Sequence, residues 1–71
     1  MITLYFVTYD GIDKCAFYTE NEAYWAMILL SKKAERCNVL DFTAYNIRSE
    51  TVQSVKKYDY LLYQGRNYAN K

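Results

Sequence analysis

The segment ITLYFVTYDGIDKCAFY at residues 2–18 contains the strand and turn signals on which the predicted architecture rests. Residues 2–9 are β-branched and aromatic, which predicts a strand. Asp10-Gly11 suits a two-residue type I′ turn, because both central residues of that turn need a positive φ. Residues 12–18 then return as a second strand. The chain is therefore expected to begin with a β-hairpin.

The two-residue turn sets the expected register of this hairpin, and a four-residue loop at 10–13 would keep the same pairing. Four cross-strand pairs are predicted: Phe6 with Cys15, Leu4 with Phe17, Val7 with Lys14, and Tyr5 with Ala16. Successive side chains point to opposite faces of a sheet. The predicted core face carries Ile2, Leu4, Phe6, Cys15 and Phe17. The opposite face is rich in tyrosine and carries Tyr5, Val7, Tyr9, Ile12, Lys14 and Tyr18.

A helix is predicted from Glu20 to about Cys37. Thr19 and Glu22 have the spacing of a capping box, in which the Glu22 carboxylate reaches back to the Thr19 amide, and Asn38 can end the helix. One stripe of mostly small residues is expected to lie on the sheet: Ala23, Ala26, Met27, Leu30, Ala34 and Cys37. A second apolar group points the opposite way, above Lys32 and Arg36: Trp25, Ile28 and Leu29. An ordinary surface helix has only one apolar stripe.

Residues 39–47 are predicted to form a third strand, joined to the second by a right-handed crossover. Ser49 can cap a short helix through about Lys57, with Val52 and Val55 facing inward. A helix that continued to Gly65 would place Asp59 in its apolar stripe, so a break near residues 58–59 and a fourth strand at 60–64 are slightly preferred. Residues 65–71 are expected to be a loose tail.

The expected fold class is α+β, a single domain over residues 1–71. Its sheet has the strand order 2-1-3 and is mainly antiparallel, since strand 1 is apolar on both faces and suits the centre. One long helix packs on one face. A short C-terminal helix follows, with or without the fourth strand.

Composition argues against several function classes. The chain has 71 residues, a net charge of +1 and no histidine, so there is no strong field toward nucleic acid or membranes, no Ser-His or Cys-His pair and no His metal ligand. Two cysteines 22 positions apart do not make a zinc site, and two isolated glycines do not make a phosphate loop. Asp10 and Asp13 are interpreted as turn residues rather than calcium ligands. We therefore expect no enzyme activity, cofactor, metal or small-molecule substrate.

The sequence also carries expectations about origin and compartment. Residues 1–7 lack the basic region of a signal peptide, and no apolar run approaches the roughly 20 residues of a membrane span, so a cytoplasmic protein is expected. One disulfide is arithmetically possible, but two reduced thiols, at Cys15 and Cys37, are favoured. Residues whose codons are AT-rich number 29, and they are Asn, Lys, Ile, Tyr, Phe and Met. Residues whose codons are GC-rich, namely Gly, Ala, Arg and Pro, number 11. This association favours an accessory protein of a phage or other mobile element of a Gram-positive bacterium.

Two apolar surfaces are candidates for binding another protein. The first consists of Tyr5, Tyr9, Tyr18 and Tyr45, all expected on one sheet face. The second consists of Trp25, Ile28 and Leu29 on the first helix. The C-terminal segment can cover one of them but not easily both, so at least one should stay available for a partner. The leading hypothesis is a protein-binding module that inhibits or redirects a host protein, such as a defence nuclease or a transcription component.

Two alternatives remain open. Basic residues beside aromatics are typical of single-strand binding, and the candidates are Lys56, Lys57, Tyr60, Tyr63 and Arg66. The other alternative is a homo-oligomeric accessory protein, joined through Trp25 and Leu29 or through edge strands 2 and 3.

Overall fold

A computed structural model describes residues 1–36 and 44–69, of which 34–36 and 69 are described by their backbone only. The elements are β1 (Ile2–Tyr9), β2 (Ile12–Phe17), α1 (Glu20–Arg36), β3 (Tyr45–Val52), a 3₁₀ turn (Lys56–Tyr58) and α2 (Asp59–Ala69). The strands form one antiparallel sheet in the order β2-β1-β3. The predicted α+β class and strand order are confirmed. Most of the predicted third strand, with Cys37 and Asn38, lies outside the described residues.

The hairpin turn has the predicted geometry. Asp10 and Gly11 have φ values of 52° and 81°, and Tyr9 pairs with Ile12 on either side of them. Both values are positive, as a type I′ turn requires. The turn therefore forms at the residues that the sequence predicts.

The predicted register of the hairpin is wrong beyond the first pairs. Thr8 pairs with Asp13, but Val7 pairs with Cys15, which leaves Lys14 as the extra residue of a β-bulge. The register then moves by one residue, so that Phe6 faces Ala16 and Tyr5 faces Phe17. A shift of one residue turns every later side chain of β2 to the other face. Cys15 and Phe17 therefore join Val7 rather than Phe6.

The two faces of the sheet are covered by different parts of the chain. α1 covers the face of Val7, and its cluster of buried residues consists of Val7, Cys15, Phe17, Ala23, Ala26 and Leu30. The C-terminal segment, with Val55, Tyr58 and the start of α2, covers the opposite face, where the buried residues are Leu4, Phe6, Ala16 and Leu62. β1 contributes to both clusters and supplies three of the four largest fully buried side chains, Phe6, Leu4 and Val7, each of which contributes about 1.5–3 kcal/mol.

Gly65 lets α2 approach the outer edge of β2. A Cβ atom at this position would fall inside the contact distance of the Ala16 carbonyl oxygen and 3.0 Å from Phe17 Cε1. The absence of a side chain thus allows the helix backbone to lie against the strand. Tyr68, one turn further on, packs against the α1 cluster on the other face. α2 consequently covers the outer edge of β2 around Ala16.

The C-terminal half differs from the prediction. Ser49 lies within β3 and caps no helix, because residues 45–52 pair with β1 along its whole length. Residues 60–64 are helical, so the predicted fourth strand is absent from the described chain. Asp59 stands in the first turn of α2, where its negative charge suits the helix dipole instead of interrupting an apolar stripe. Residues 65–69, expected to be part of a loose tail, belong to α2.

Neither described helix has both the length and the apolar character needed to cross a membrane. α1, the longer of the two, has 17 residues and includes charged side chains along its length.

We predict that Gly65→Ala destabilises the protein by about 1–3 kcal/mol, because the new methyl group must push α2 away from β2. In an unobstructed helix the same substitution would raise the free energy of unfolding by up to about 1 kcal/mol. The sign of the change in the free energy of unfolding, measured with urea, is therefore diagnostic. Asn67→Ala, on the exposed side of the same helix, is the control and should change little. Stabilisation by Gly65→Ala would contradict this packing.

Candidate protein-docking surface

The start of α1 is fixed by Thr19 and Glu22. The Glu22 amide donates to Thr19 Oγ1 at 3.3 Å, which satisfies one of the unpaired amides of the first turn. The Glu22 carboxylate accepts from the Thr19 hydroxyl at 2.7 Å. The sequence predicted that it would accept from the Thr19 amide instead. The cap sets where the helix begins and therefore which residues point to the sheet.

α1 buries one stripe and exposes another. Ala23, Ala26 and Leu30 are buried against the sheet, and Met27 packs beside them. On the outer side, Trp25 is 64% exposed and Leu29 is 49% exposed, while Ile28 is half-buried. Positions 25, 28 and 29 are neighbours on a helix surface, since residues three and four apart lie on one side. We call Trp25, Ile28 and Leu29 the α1 outer surface.

The predicted tyrosine face is not an open surface. Tyr5, Tyr9 and Tyr45 do share one side of the sheet, and the Tyr9 and Tyr45 rings meet edge to face at 4.8 Å between centroids. All three are half-buried, and Tyr5 and Tyr45 pack against the cluster beneath α1. Burial also raises the pKa of Tyr45, with neighbouring Tyr68 and Tyr9 adding to the effect. Tyr5 and Tyr45 therefore border the α1 cluster, and Tyr9 packs on Tyr45.

Tyr18 is separate from the other three tyrosines. It lies beyond the end of β2, is exposed, and lines a cavity of about 430 Å³ beside α2, together with Glu22, Leu62 and Arg66. The predicted group of four tyrosines is therefore divided between two parts of the molecule. The α1 outer surface, by contrast, brings its three predicted residues together.

Tyr24 was missed by the sequence reasoning. It is exposed and lines a groove of about 280 Å³ between α1 and β3, with Tyr5, Glu20, Ile47, Arg48 and Ser49. The available signal was its spacing of four residues from Ile28, which places both on the same side of α1. Tyr24 thus extends the exposed apolar area of α1 toward β3.

A polar network lies on the α2 side of the sheet. Arg48 donates to both Asp13 carboxylate oxygens, at 2.9 and 2.7 Å, and its guanidinium carbon lies 4.1 Å from the centre of the Phe6 ring. Tyr58 donates to Glu50 at 2.6 Å, and its ring meets Phe6 edge to face. The hydrogen bond to Asp13 raises the pKa of Arg48, and the one to Glu50 raises the pKa of Tyr58. These side chains cover Phe6, so we interpret the network as structural.

The residues of the nucleic-acid alternative lie together on the outer side of the C-terminal segment. Tyr60 is 70% exposed and Tyr63 is 54% exposed, one helical turn apart on α2. Lys56, Lys57 and Arg66 are exposed near them, as is the acidic Asp59. This basic-aromatic surface is on a different helix from the α1 outer surface.

Chemically reactive groups are few in the described chain. Within residues 1–36 and 44–69 no group of three or more His, Cys, Asp or Glu side chains is placed to hold a metal ion. Cys15 is fully buried, and burial raises the pKa of its thiol from 9.0 to about 11, against a smaller lowering by its bond to the Val7 backbone. A protonated, inaccessible thiol is a poor nucleophile.

No protein-family model matches the chain, and no curated protein or solved structure matches it significantly. Function is therefore inferred from this chain's own side chains and their geometry.

We predict that Cys15 makes stability depend on alkaline pH. Because the folded pKa is raised, the protonated thiol stabilises the folded state fully below pH 9, and this contribution is lost as pH rises from 9 to about 11. Cys15→Ala should remove that part of the pH dependence while lowering stability overall, since it leaves a cavity. Urea unfolding of both proteins from about pH 8 to 11 measures the difference. Equal slopes in the two proteins would contradict the prediction.

Proposed function

We propose that this protein is a non-enzymatic protein-binding module that docks through the α1 outer surface. The observation that carries the proposal is the exposure of Trp25 and Leu29 on a helix whose opposite stripe is already packed on the sheet. Tryptophan is enriched among the residues that dominate binding energy at protein interfaces. Both exposed side chains are free to enter a partner without any change in the fold.

The spacing of these residues suggests how a partner would bind. Anchors at positions i, i+3 and i+4 of a helix are the pattern with which a helix lies in an apolar groove. Lys32 and Lys33 are exposed one turn further along α1. The partner that fits is therefore a protein with an apolar groove and acidic residues at one end, since opposite charges speed and orient association.

The biological setting is part of the same proposal. Composition favours an accessory protein of a phage or mobile element, for which the partner is a host protein such as a defence nuclease or a transcription component. A lysate of a Gram-positive bacterium is accordingly the first place to look for it. The lack of histidine and the buried, protonated Cys15 support a role without catalysis.

We predict that Trp25→Ala and Leu29→Ala each weaken partner binding. The immobilised protein should retain a defined host protein from such a lysate, identified by mass spectrometry and then purified. Truncation of a central tryptophan costs about 2 kcal/mol or more, which is roughly a 30-fold rise in Kd by titration calorimetry. Thermal unfolding should be nearly unchanged, because both side chains are exposed in the free protein.

Tyr60→Ala is the matched control, since Tyr60 is as exposed as Trp25 but lies on α2. It should bind the partner as the unmodified protein does. Equal retention of the partner by the Trp25→Ala and unmodified proteins, or no retained protein at all, would refute docking through α1.

The basic-aromatic surface supports a second candidate function, binding of single-stranded nucleic acid. Two exposed tyrosine rings one turn apart can stack on bases while Lys56, Lys57 and Arg66 contact phosphates. Asp59 within this surface and the net charge of only +1 weaken the case. It is therefore ranked below protein binding.

We predict, for this second candidate, binding to a labelled single-stranded oligonucleotide that falls steeply as salt rises from about 50 to about 200 mM. Fluorescence anisotropy measures it. Each tyrosine stack contributes about 1–3 kcal/mol, so the double variant Tyr60→Ala, Tyr63→Ala should bind at least about tenfold more weakly. Trp25→Ala serves as the control and should bind normally. Salt-independent binding, or none at low salt, would eliminate this function.

A further inference from the structure

The two edges of the sheet differ in whether another element of the described chain covers them. α2 covers the outer edge of β2 through Gly65, whereas within the described residues no strand pairs with the outer edge of β3. β3 has eight residues, pairs with β1 without a bulge, and contains no proline. Edge strands of this length usually carry a bulge, a proline or a cover, because their unpaired backbone groups attract other strands. Within residues 1–36 and 44–69, the outer backbone groups of β3 therefore have no partner strand.

The direction of the backbone groups can be read from two contacts. The Ile47 amide donates to Asn46 Oδ1, and the Ala44 carbonyl oxygen accepts from the Asp10 amide in the hairpin turn. Even-numbered residues of β3 thus direct their backbone groups to β1. Odd-numbered residues, 45 to 51, direct theirs outward. An added strand therefore bonds to residues of this odd-numbered set, Tyr45, Ile47, Ser49 and Thr51.

We propose that this edge pairs with the same edge of a second copy of the chain, antiparallel, with Ser49 on the two-fold axis. Only in this register do opposite charges of the sequence YNIRSETV face each other. With Ser49 opposite its own copy, Arg48 stands opposite Glu50 of the other copy, twice. A shift of the axis to residue 48 or 50 would place two arginines or two glutamates opposite each other, which destabilises a pair of strands.

The backbone bonds agree with this register. Ser49 would exchange two hydrogen bonds with its copy, and Ile47 would bond to Thr51 on each side, so only outward-facing groups are used. The Asn46 side chain has to release the Ile47 amide, which exchanges one hydrogen bond for another. The side chains of Arg48 and Glu50 fall on non-hydrogen-bonded positions, where opposite side chains are closest.

The charged side chains retain capacity for the new pairs. Asp13 occupies Nε and Nη2 of Arg48, but Nη1 has only a loose contact, 3.9 Å from Glu50 Oε1 of the same chain. Tyr58 occupies the other Glu50 oxygen. Nη1 and Oε1 are therefore the atoms with bonding capacity left, and the guanidinium, which lies over Phe6 on the inner side of β3, has to turn toward the axis for them to meet.

Sedimentation of the full chain over a range of concentrations tests the proposal. A species of twice the 8.5 kDa chain mass should appear as concentration rises. Ser49→Pro should abolish it, because proline removes an outward amide while leaving the β1 pairing intact. Glu50→Lys should also abolish it, because the substitution would place two positive charges opposite each other at each Arg48 pair. Trp25→Ala should leave the dimer unchanged, since Trp25 lies on α1 and outside this edge.

Cross-linking tests the register without relying on those variants. In a Cys37→Ser background, Ser49→Cys should form a disulfide-linked dimer on oxidation, because residues paired on the axis lie about 5.5 Å apart. Thr51→Cys, the control on the same edge, should not, since its two copies would be about 14 Å apart. A monomer at all concentrations, a dimer lost with Trp25→Ala but kept with Ser49→Pro, or cross-linking of Thr51→Cys in preference to Ser49→Cys would overturn the proposal.

Discussion

The bulge at Lys14 decides which side chains each helix covers. It turns Cys15 and Phe17 toward α1 and leaves Ala16 on the side of α2. Each helix matches the surface that results. α1 brings small residues, Ala23 and Ala26, against the large ones of the sheet, and α2 brings Gly65 against the strand at Ala16. If β2 were turned over, Cys15 and Phe17 would leave the α1 cluster and Ala16 would enter it, which would change the packing of a dense interior on both faces. The extra residue in β2 thus determines which side chains lie on each face of the sheet.

The sequence could predict the features whose energy lies within a few neighbouring residues. The turn at Asp10-Gly11 and the cap at Thr19 are local, and both stand where the pattern places them. The bulge could not be predicted, because residues 15–17 are apolar and either register buries apolar side chains. β3 was misread at Ser49 for a related reason. Ser49 can cap a helix locally, but eight pairs with β1, a strand far away in the chain, outweigh that preference.

The candidate site likewise has a part that follows from local sequence and a part that depends on distant contacts. Helical periodicity alone fixes the outward side of α1, so Trp25, Ile28 and Leu29 could be found without knowing what lies beneath the helix. The tyrosines required knowledge of which helix covers which face. Because α1 rather than the C-terminal segment lies over Tyr5 and Tyr45, those rings pack against the buried cluster beneath α1 and do not form an open surface. Exposure therefore argues for α1 as the docking element and against the sheet.

Docking through α1 and pairing through β3 are compatible, because they use different surfaces. Cross-strand neighbours in a continuous sheet point their side chains to the same face, so a two-fold axis at Ser49 would place both copies of α1 on one side of a six-stranded sheet. Two outward tryptophans would then face the same direction. A pair of linked docking surfaces binds a two-fold symmetric partner far more tightly than one surface does, without any new contact. Such an arrangement would let a chain of 71 residues hold a two-fold symmetric partner through two α1 outer surfaces.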